Sequence, residues 1–140
     1  MPYKFLPDIA LADVAFEVSA PTPQRLFEDS AKALTEVMVD RKTVAPRLKR
    51  EIELSSETPD TLLYDFLTEL IILKDVESLL FKEFRVSLGA KQTSMKCTLS
   101  GEPIDRQKHA LRNDVKAVTM HMFGIRRGGK NWVATVVLDI

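Results

Sequence analysis

The stretch from Thr58 to Asp75 constrains this chain more than any other. Leu62, Leu63, Phe66, Leu67, Leu70, Ile71 and Leu73 recur at helical spacing, and Thr58-Pro59-Asp60 places a capping hydroxyl ahead of a proline suited to the first turn. A helix with so wide an apolar face cannot stand in water by itself. The spacing therefore predicts a helix at the centre of a core, with Asp60, Asp65 and Glu69 turned to solvent. A second helix carries the same start signal. Thr22 and Pro23 precede a stripe of Leu26, Phe27, Ala31, Leu34 and Met38, opposite Arg25, Asp29, Lys32 and Glu36.

What covers these helices is written as alternation with period two. From Leu11 to Val18, Ala12, Val14, Phe16 and Val18 share one face while Asp13 and Glu17 share the other. From Leu48 to Ser55, Leu48, Arg50, Ile52 and Leu54 alternate with Lys49, Glu51, Glu53 and Ser55. Leu79 to Leu88 and Ser94 to Ser100 read as a hairpin around Gly89-Ala90-Lys91-Gln92. A polar connection, Gly101 to Asn113, leads to two closing strands, Val115 to Arg126 and Trp132 to Leu138. Consecutive strands late in a chain favour antiparallel pairing. The expected fold class is α+β: two helices packed on a mainly antiparallel sheet, two layers in a single domain over residues 1–140. At 45% hydrophobic residues, a chain of 140 can build such a core without staples.

Composition excludes several classes of function. Lys and Arg together equal Asp and Glu at 20 each, so there is no global positive field and no strong direct nucleic-acid binding is expected. Any role on RNA then requires a local patch or a protein intermediary. The basic run Arg41 to Arg50 reads as a solvated connector, because no aromatic or glycine-rich element interleaves it. No uninterrupted apolar run is long enough to cross a membrane, and no leader pattern opens the sequence. Cys97 is the single cysteine, which points to a reducing, cytoplasmic setting and a buried structural thiol.

Catalytic signatures are weak. Gly124 to Lys130 matches the spacing of a phosphate-binding P-loop, but Asn131 stands where a hydroxyl would hold magnesium, and Trp132 to Val137 forms a strand where a helix is required. Arg127-Gly128-Gly129-Lys130 is expected to be a hairpin turn. Neither His109, in a polar stretch, nor His121, in an apolar strand, has a neighbouring nucleophile, so the chain is not read as an enzyme.

Asp13 is the residue that calls for explanation, since a short carboxylate suits a strand poorly. It is either solvated or bound by something. The chain closes Val137-Leu138-Asp139-Ile140, and Asp139 with the terminal carboxylate of Ile140 could join Asp13 if the last strand lies beside the first. Three converging anions demand a cation; a frayed, solvated terminus accounts for Asp139 equally well.

Nearly the full length resembles the archease family. The resemblance rests on Ala12-Asp13-Val14, Ala33 to Asp40, Leu62 to Leu70, Val115-Lys116-Ala117-Val118-Thr119-Met120-His121, and the closing Trp132 to Ile140. It implies a non-catalytic accessory protein of tRNA processing that activates the GTP-dependent tRNA-splicing RNA ligase. As the alternative, it implies a chaperone-like module for a tRNA cytosine-5 methyltransferase. Read onto matching positions, the family's metal site falls on Asp13, Asp139 and Ile140, with Asp40 a further candidate and His121 open. The resemblance implies a divalent cation, calcium first, with magnesium or manganese suited to the same oxygens. One departure stands out: Ala10 and Leu11 occupy positions where the family carries His and Thr. A metal-dependent hydrolase is a third and weaker reading.

Overall fold

The computed structural model describes residues 3–6 and 13–140. Both helices begin at the threonine-proline signals. In α1 (Pro23–Met38), the Thr22 hydroxyl accepts from the Arg25 amide at 3.1 Å. In α2 (Pro59–Glu77), Thr58 and Thr61 satisfy each other's backbone amides in a reciprocal cap. Its other end is closed by Ser78 in the left-handed region, φ 56°, whose amide returns to the Lys74 carbonyl at 3.0 Å.

The strands are β1 (Tyr3–Leu6), β2 (Asp13–Ala20), β3 (Leu48–Ser55), β4 (Leu79–Leu88), β5 (Ser94–Pro103), β6 (Ala117–Gly128) and β7 (Asn131–Asp139). They form two antiparallel sheets rather than one. One is ordered β1-β2-β7-β6 and the other β3-β5-β4. The α+β class stands as expected, but alternation along a strand reports only which face is dry, not which sheet the strand joins. Residues 10–12, including the start of the expected first strand, lie outside the described residues.

One core fills the space between helices and sheets. Phe16 and Val18 of β2, Ala134, Val136 and Leu138 of β7, and Phe84, Val86, Cys97 and Leu99 of the second sheet all join it. The helices meet at Phe27 and Phe66, stacked with ring centroids 6.3 Å apart. Each such phenylalanine contributes about 1.5–3 kcal/mol through burial. Asp29, expected on the wet side of α1, is buried and held by Arg25 and Lys32. Asp60, expected in water, accepts instead from the Ile125 amide of β6 at 3.1 Å.

Two glycines are required by backbone geometry. A Cβ on Gly101 would lie 1.9 Å from the Leu80 carbonyl, where β4 bulges between Phe81 and Glu83 against β5. Gly129 takes φ +66° in the tight turn between β6 and β7, so the P-loop-like spacing is a hairpin, as the sequence predicts.

The polar connection between β5 and β6 carries the chain from the second sheet to the first, and in doing so it caps α1. The amides of Arg112 and Asn113 donate to the carbonyls of Met38 and Val37 at 2.8 and 3.1 Å, satisfying groups that the helix end leaves open. Lys74, buried on α2, donates to Asp114 Oδ1 at 2.6 Å and to the Val115 carbonyl at 2.8 Å. This ion pair also holds the Asp114 carboxyl below its ordinary range. The segment is thereby anchored on both helices just before it enters β6.

Candidate functional site

Strands β2 and β7 lie side by side and antiparallel, with Asp13 directly opposite Asp139. Opposed residues in such a pair project to the same face, with Cβ atoms about 4.5–5.5 Å apart. The face is the one turned from the core, because Phe16, Val18, Ala134, Val136 and Leu138 alternate with it and belong to the core cluster. Two carboxylates thus stand together at one end of the four-stranded sheet, both partly exposed.

The Asp139 backbone is gripped from both sides. It pairs with Asp13 on β2 and Ala117 on β6, and its carbonyl accepts from the Lys116 amide at 2.8 Å. Lys116 is fixed in turn by the neighbouring Val115, whose carbonyl Lys74 holds. The position of Asp139 is therefore set by the core and not by a loose end. Ile140 follows it and packs its side chain against the core.

Asp40 is otherwise employed. Its carboxylate accepts from the Lys42 amide at 3.1 Å and caps the turn Arg41–Thr43, while its own amide donates to the Ala110 carbonyl at 2.8 Å. His121 is exposed on the edge strand β6, in an excursion where Met120 to Phe123 oppose only Val136. Within it Met122 has φ 56°, a conformation that costs a non-glycine residue about 1–2 kcal/mol. Met120 and Met122 are 62% and 53% exposed. Phe123 turns back to Tyr64, edge to face at 5.5 Å, and the Tyr64 hydroxyl donates to the Val118 carbonyl at 3.0 Å. The excursion begins after Thr119, two residues along β6 from the Ala117–Asp139 pair.

Among the described residues, no group of three or more His, Cys, Asp or Glu side chains is arranged to hold a metal. The donor set available at the tip is Asp13, Asp139 and backbone oxygen. Its chemistry fits a hard cation, which takes carboxylate and carbonyl oxygens, and does not fit a soft one.

A constellation the sequence reading did not single out is centred on Glu102. This side chain is buried, yet its oxygens accept from the Ala45 amide at 2.8 Å, Lys108 Nζ at 2.8 Å, Arg47 Nη1 at 3.3 Å and His109 Nε2 at 2.8 Å. Because His109 Nδ1 accepts from the Asp105 amide at 2.9 Å, the ring proton sits on Nε2. Burial pushes the Glu102 pKa up, but the hydrogen bonds from Lys108, His109 and Ala45 outweigh it and hold it down at about 2. Both ring nitrogens are committed and no nucleophile adjoins them, so this is a structural clasp. Strand parity alone would put Glu102 in water; the fold-back of residues 104–109, with Ala45 and Arg47, covers it. Cys97 is buried as expected, and burial pushes its thiol up to about 12, leaving it inert.

Comparison with known proteins agrees with this fold. The model of the Archease protein family matches residues 3–140. The archease of Methanopyrus kandleri is 36% identical over 131 residues, covering 92% of this chain and 94% of that protein. The archease of Thermococcus gammatolerans is 36% identical over 132 residues, covering 92% and 93%. The solution structure of Methanobacterium thermoautotrophicum protein 1598 superposes with a TM-score of 0.86 at 35% identity, covering 99% of both chains. The fold is also that of the Thermotoga maritima archease described as a possible chaperone, with a TM-score of 0.67 at 20% identity over 96% of both chains. With the family model spanning almost its whole length and relatives this similar, the chain belongs to the Archease protein family.

Proposed function

We propose that this chain is a non-catalytic accessory protein of tRNA processing, which activates the GTP-dependent tRNA-splicing RNA ligase by presenting the Asp13–Asp139 tip to it. The observation that carries the reading is the direct opposition of these two carboxylates at a partly exposed end of the four-stranded sheet. Family membership supports an accessory role on a protein partner, and the ligase as that partner is part of the proposal. A balanced net charge suits a protein that acts on another protein.

In this reading Asp13, Asp139 and the Ile140 backbone oxygens hold a divalent cation, calcium before magnesium or manganese. The ion would supply positive charge where two anions are crowded together. The chain's own part is positional. The ladder from β2 through β7 to β6 sets the two carboxylates side by side, and Lys74 braces the segment that completes that ladder. Exposed Met120 and Met122, near the tip, offer adaptable apolar contact to the ligase surface. Among the described residues no helix is long and apolar enough to cross a membrane, and a cytoplasmic site of action is part of the proposal. The experiment that tests it is ligase guanylylation with wild type, Asp13→Ala and Asp139→Ala. Equal stimulation by all three excludes the tip as the active feature.

A second reading is favoured by the same two methionines. A chaperone-like module for a tRNA cytosine-5 methyltransferase would use exposed apolar surface and would not depend on the carboxylates. Protection of such a methyltransferase from aggregation, lost on Met120→Ser with Met122→Ser but retained in Asp13→Ala, distinguishes it.

A further inference from the structure

We propose that the second sheet carries a site for phosphate groups, in a basic hollow of about 450 Å³ beside β4. Lys32, Arg41, Lys49, Lys82 and Arg85 line it, against the single carboxylate of Glu83. The hydroxyls of Thr98 and Ser100 belong to the same wall. In a chain of zero net charge, so local an excess is a segregation of charge and not a reflection of composition.

The cations are poorly neutralised. Among the described residues, Lys32 alone of the five has an ion pair, with Asp29 at 3.8 Å. Glu28, the other carboxylate of this part of α1, is engaged by the Val86 amide at 2.9 Å. Arg41 donates from Nη1 to the Lys82 carbonyl at 2.6 Å, which fixes the guanidinium, while its Nε is buried with no partner among the described residues. Lys82 reaches the Arg41 carbonyl at 3.4 Å, so each of these two side chains holds the other's backbone. A pre-positioned arginine, four lysine and arginine neighbours and two hydroxyls suit a multiply charged oxyanion.

The size and lining narrow the ligand class. A water occupies about 30 Å³ in the liquid, so the hollow exceeds a single phosphate ion and accommodates successive phosphates. Phe84 is the one aromatic residue of the lining and is buried, so nothing there stacks a base. Recognition would be of phosphate charge and not of sequence, which describes both an RNA backbone and a free oligophosphate. The site is on the other sheet from Asp13 and Asp139 and does not depend on the function proposed for them. It also gives Arg41 and Lys49, from the run expected to be a solvated connector, a specific role.

The test measures binding of a labelled single-stranded RNA by fluorescence anisotropy and of inorganic tripolyphosphate by calorimetry, at physiological salt. Lys49→Glu with Arg85→Glu changes two exposed side chains in the hollow. Lys91→Glu with Lys130→Glu makes the same change in net charge at exposed positions outside it. Circular dichroism checks that both double variants fold. The expected result is a salt-sensitive affinity that falls about tenfold or more in the hollow variant and is retained in the control. Loss confined to RNA identifies a nucleic-acid backbone, loss confined to tripolyphosphate identifies a free oligophosphate, and loss of both identifies the phosphate group as such. The proposal is overturned if neither probe binds, if the hollow variant binds like wild type, or if the control loses as much.

Discussion

Asp13 and Asp139 face each other across the β2–β7 ladder, one near the start of the sequence and the other next to its last residue. Like charges placed directly opposite each other destabilise a sheet. The proposed function rests on this opposition.

Asp13→Asn and Asp139→Asn are therefore expected to leave the protein at least as stable as wild type in the presence of a chelator. Excess calcium should raise the unfolding temperature of wild type and leave both variants unmoved, because an ion stabilises only the state that binds it. Thermal unfolding with chelator and with calcium checks this. A wild-type midpoint insensitive to calcium, magnesium and manganese would remove the cation from the account.

Glu102 gives a pH dependence of determinate sign. Its folded-state pKa, about 2, lies below the ordinary 4.5. The folded protein thus binds fewer protons than the unfolded chain in that interval, so the contribution is complete above pH 4.5 and is lost as pH falls toward 2. Glu102→Gln removes the charge that Lys108 and His109 bond to and should cost about 1–3 kcal/mol at neutral pH. Its stability should also fall less steeply than wild type over the acid interval, as urea midpoints measured across that range would show.

The outer edge of β4 is protected by Glu28, whose carboxylate accepts from the Val86 amide. Glu28→Ala leaves that edge amide unpaired, and edge strands without cover recruit other chains. The expected loss is about 1–2 kcal/mol, with faster hydrogen exchange at Val86 and a greater tendency to aggregate. Unchanged exchange at Val86 would mean that the edge is covered by something else.

Much of this architecture was readable because its signals are local. Thr22-Pro23 and Thr58-Pro59 mark both helix starts, and β3 runs from Leu48 to Ser55 as alternation requires. The face of Asp13 followed from parity, but its partnership with Asp139 was one of two open readings and was favoured only by the family resemblance; the β2–β7 register places the two residues opposite each other. Features that depend on contacts between distant segments were not readable. Glu102 looks exposed until residues 104–109 fold over it, and Asp60 looks solvated until the Ile125 amide arrives. Residues 120–123 continue an apolar strand pattern, so nothing local shows that they leave the ladder. Arg41 and Lys49 look like a solvated run because the other cations of the hollow come from α1 and β4.

The role proposed for the Asp13–Asp139 tip is tested most directly by the rate of RNA-ligase guanylylation with GTP, stimulated by wild type, by Asp13→Asn and by Asp139→Asn, each first shown to be folded. Either asparagine variant is expected to lose most of the stimulation, about tenfold or more, since each removes one of the carboxylate charges at the tip. Stimulation equal to wild type by both variants would contradict it.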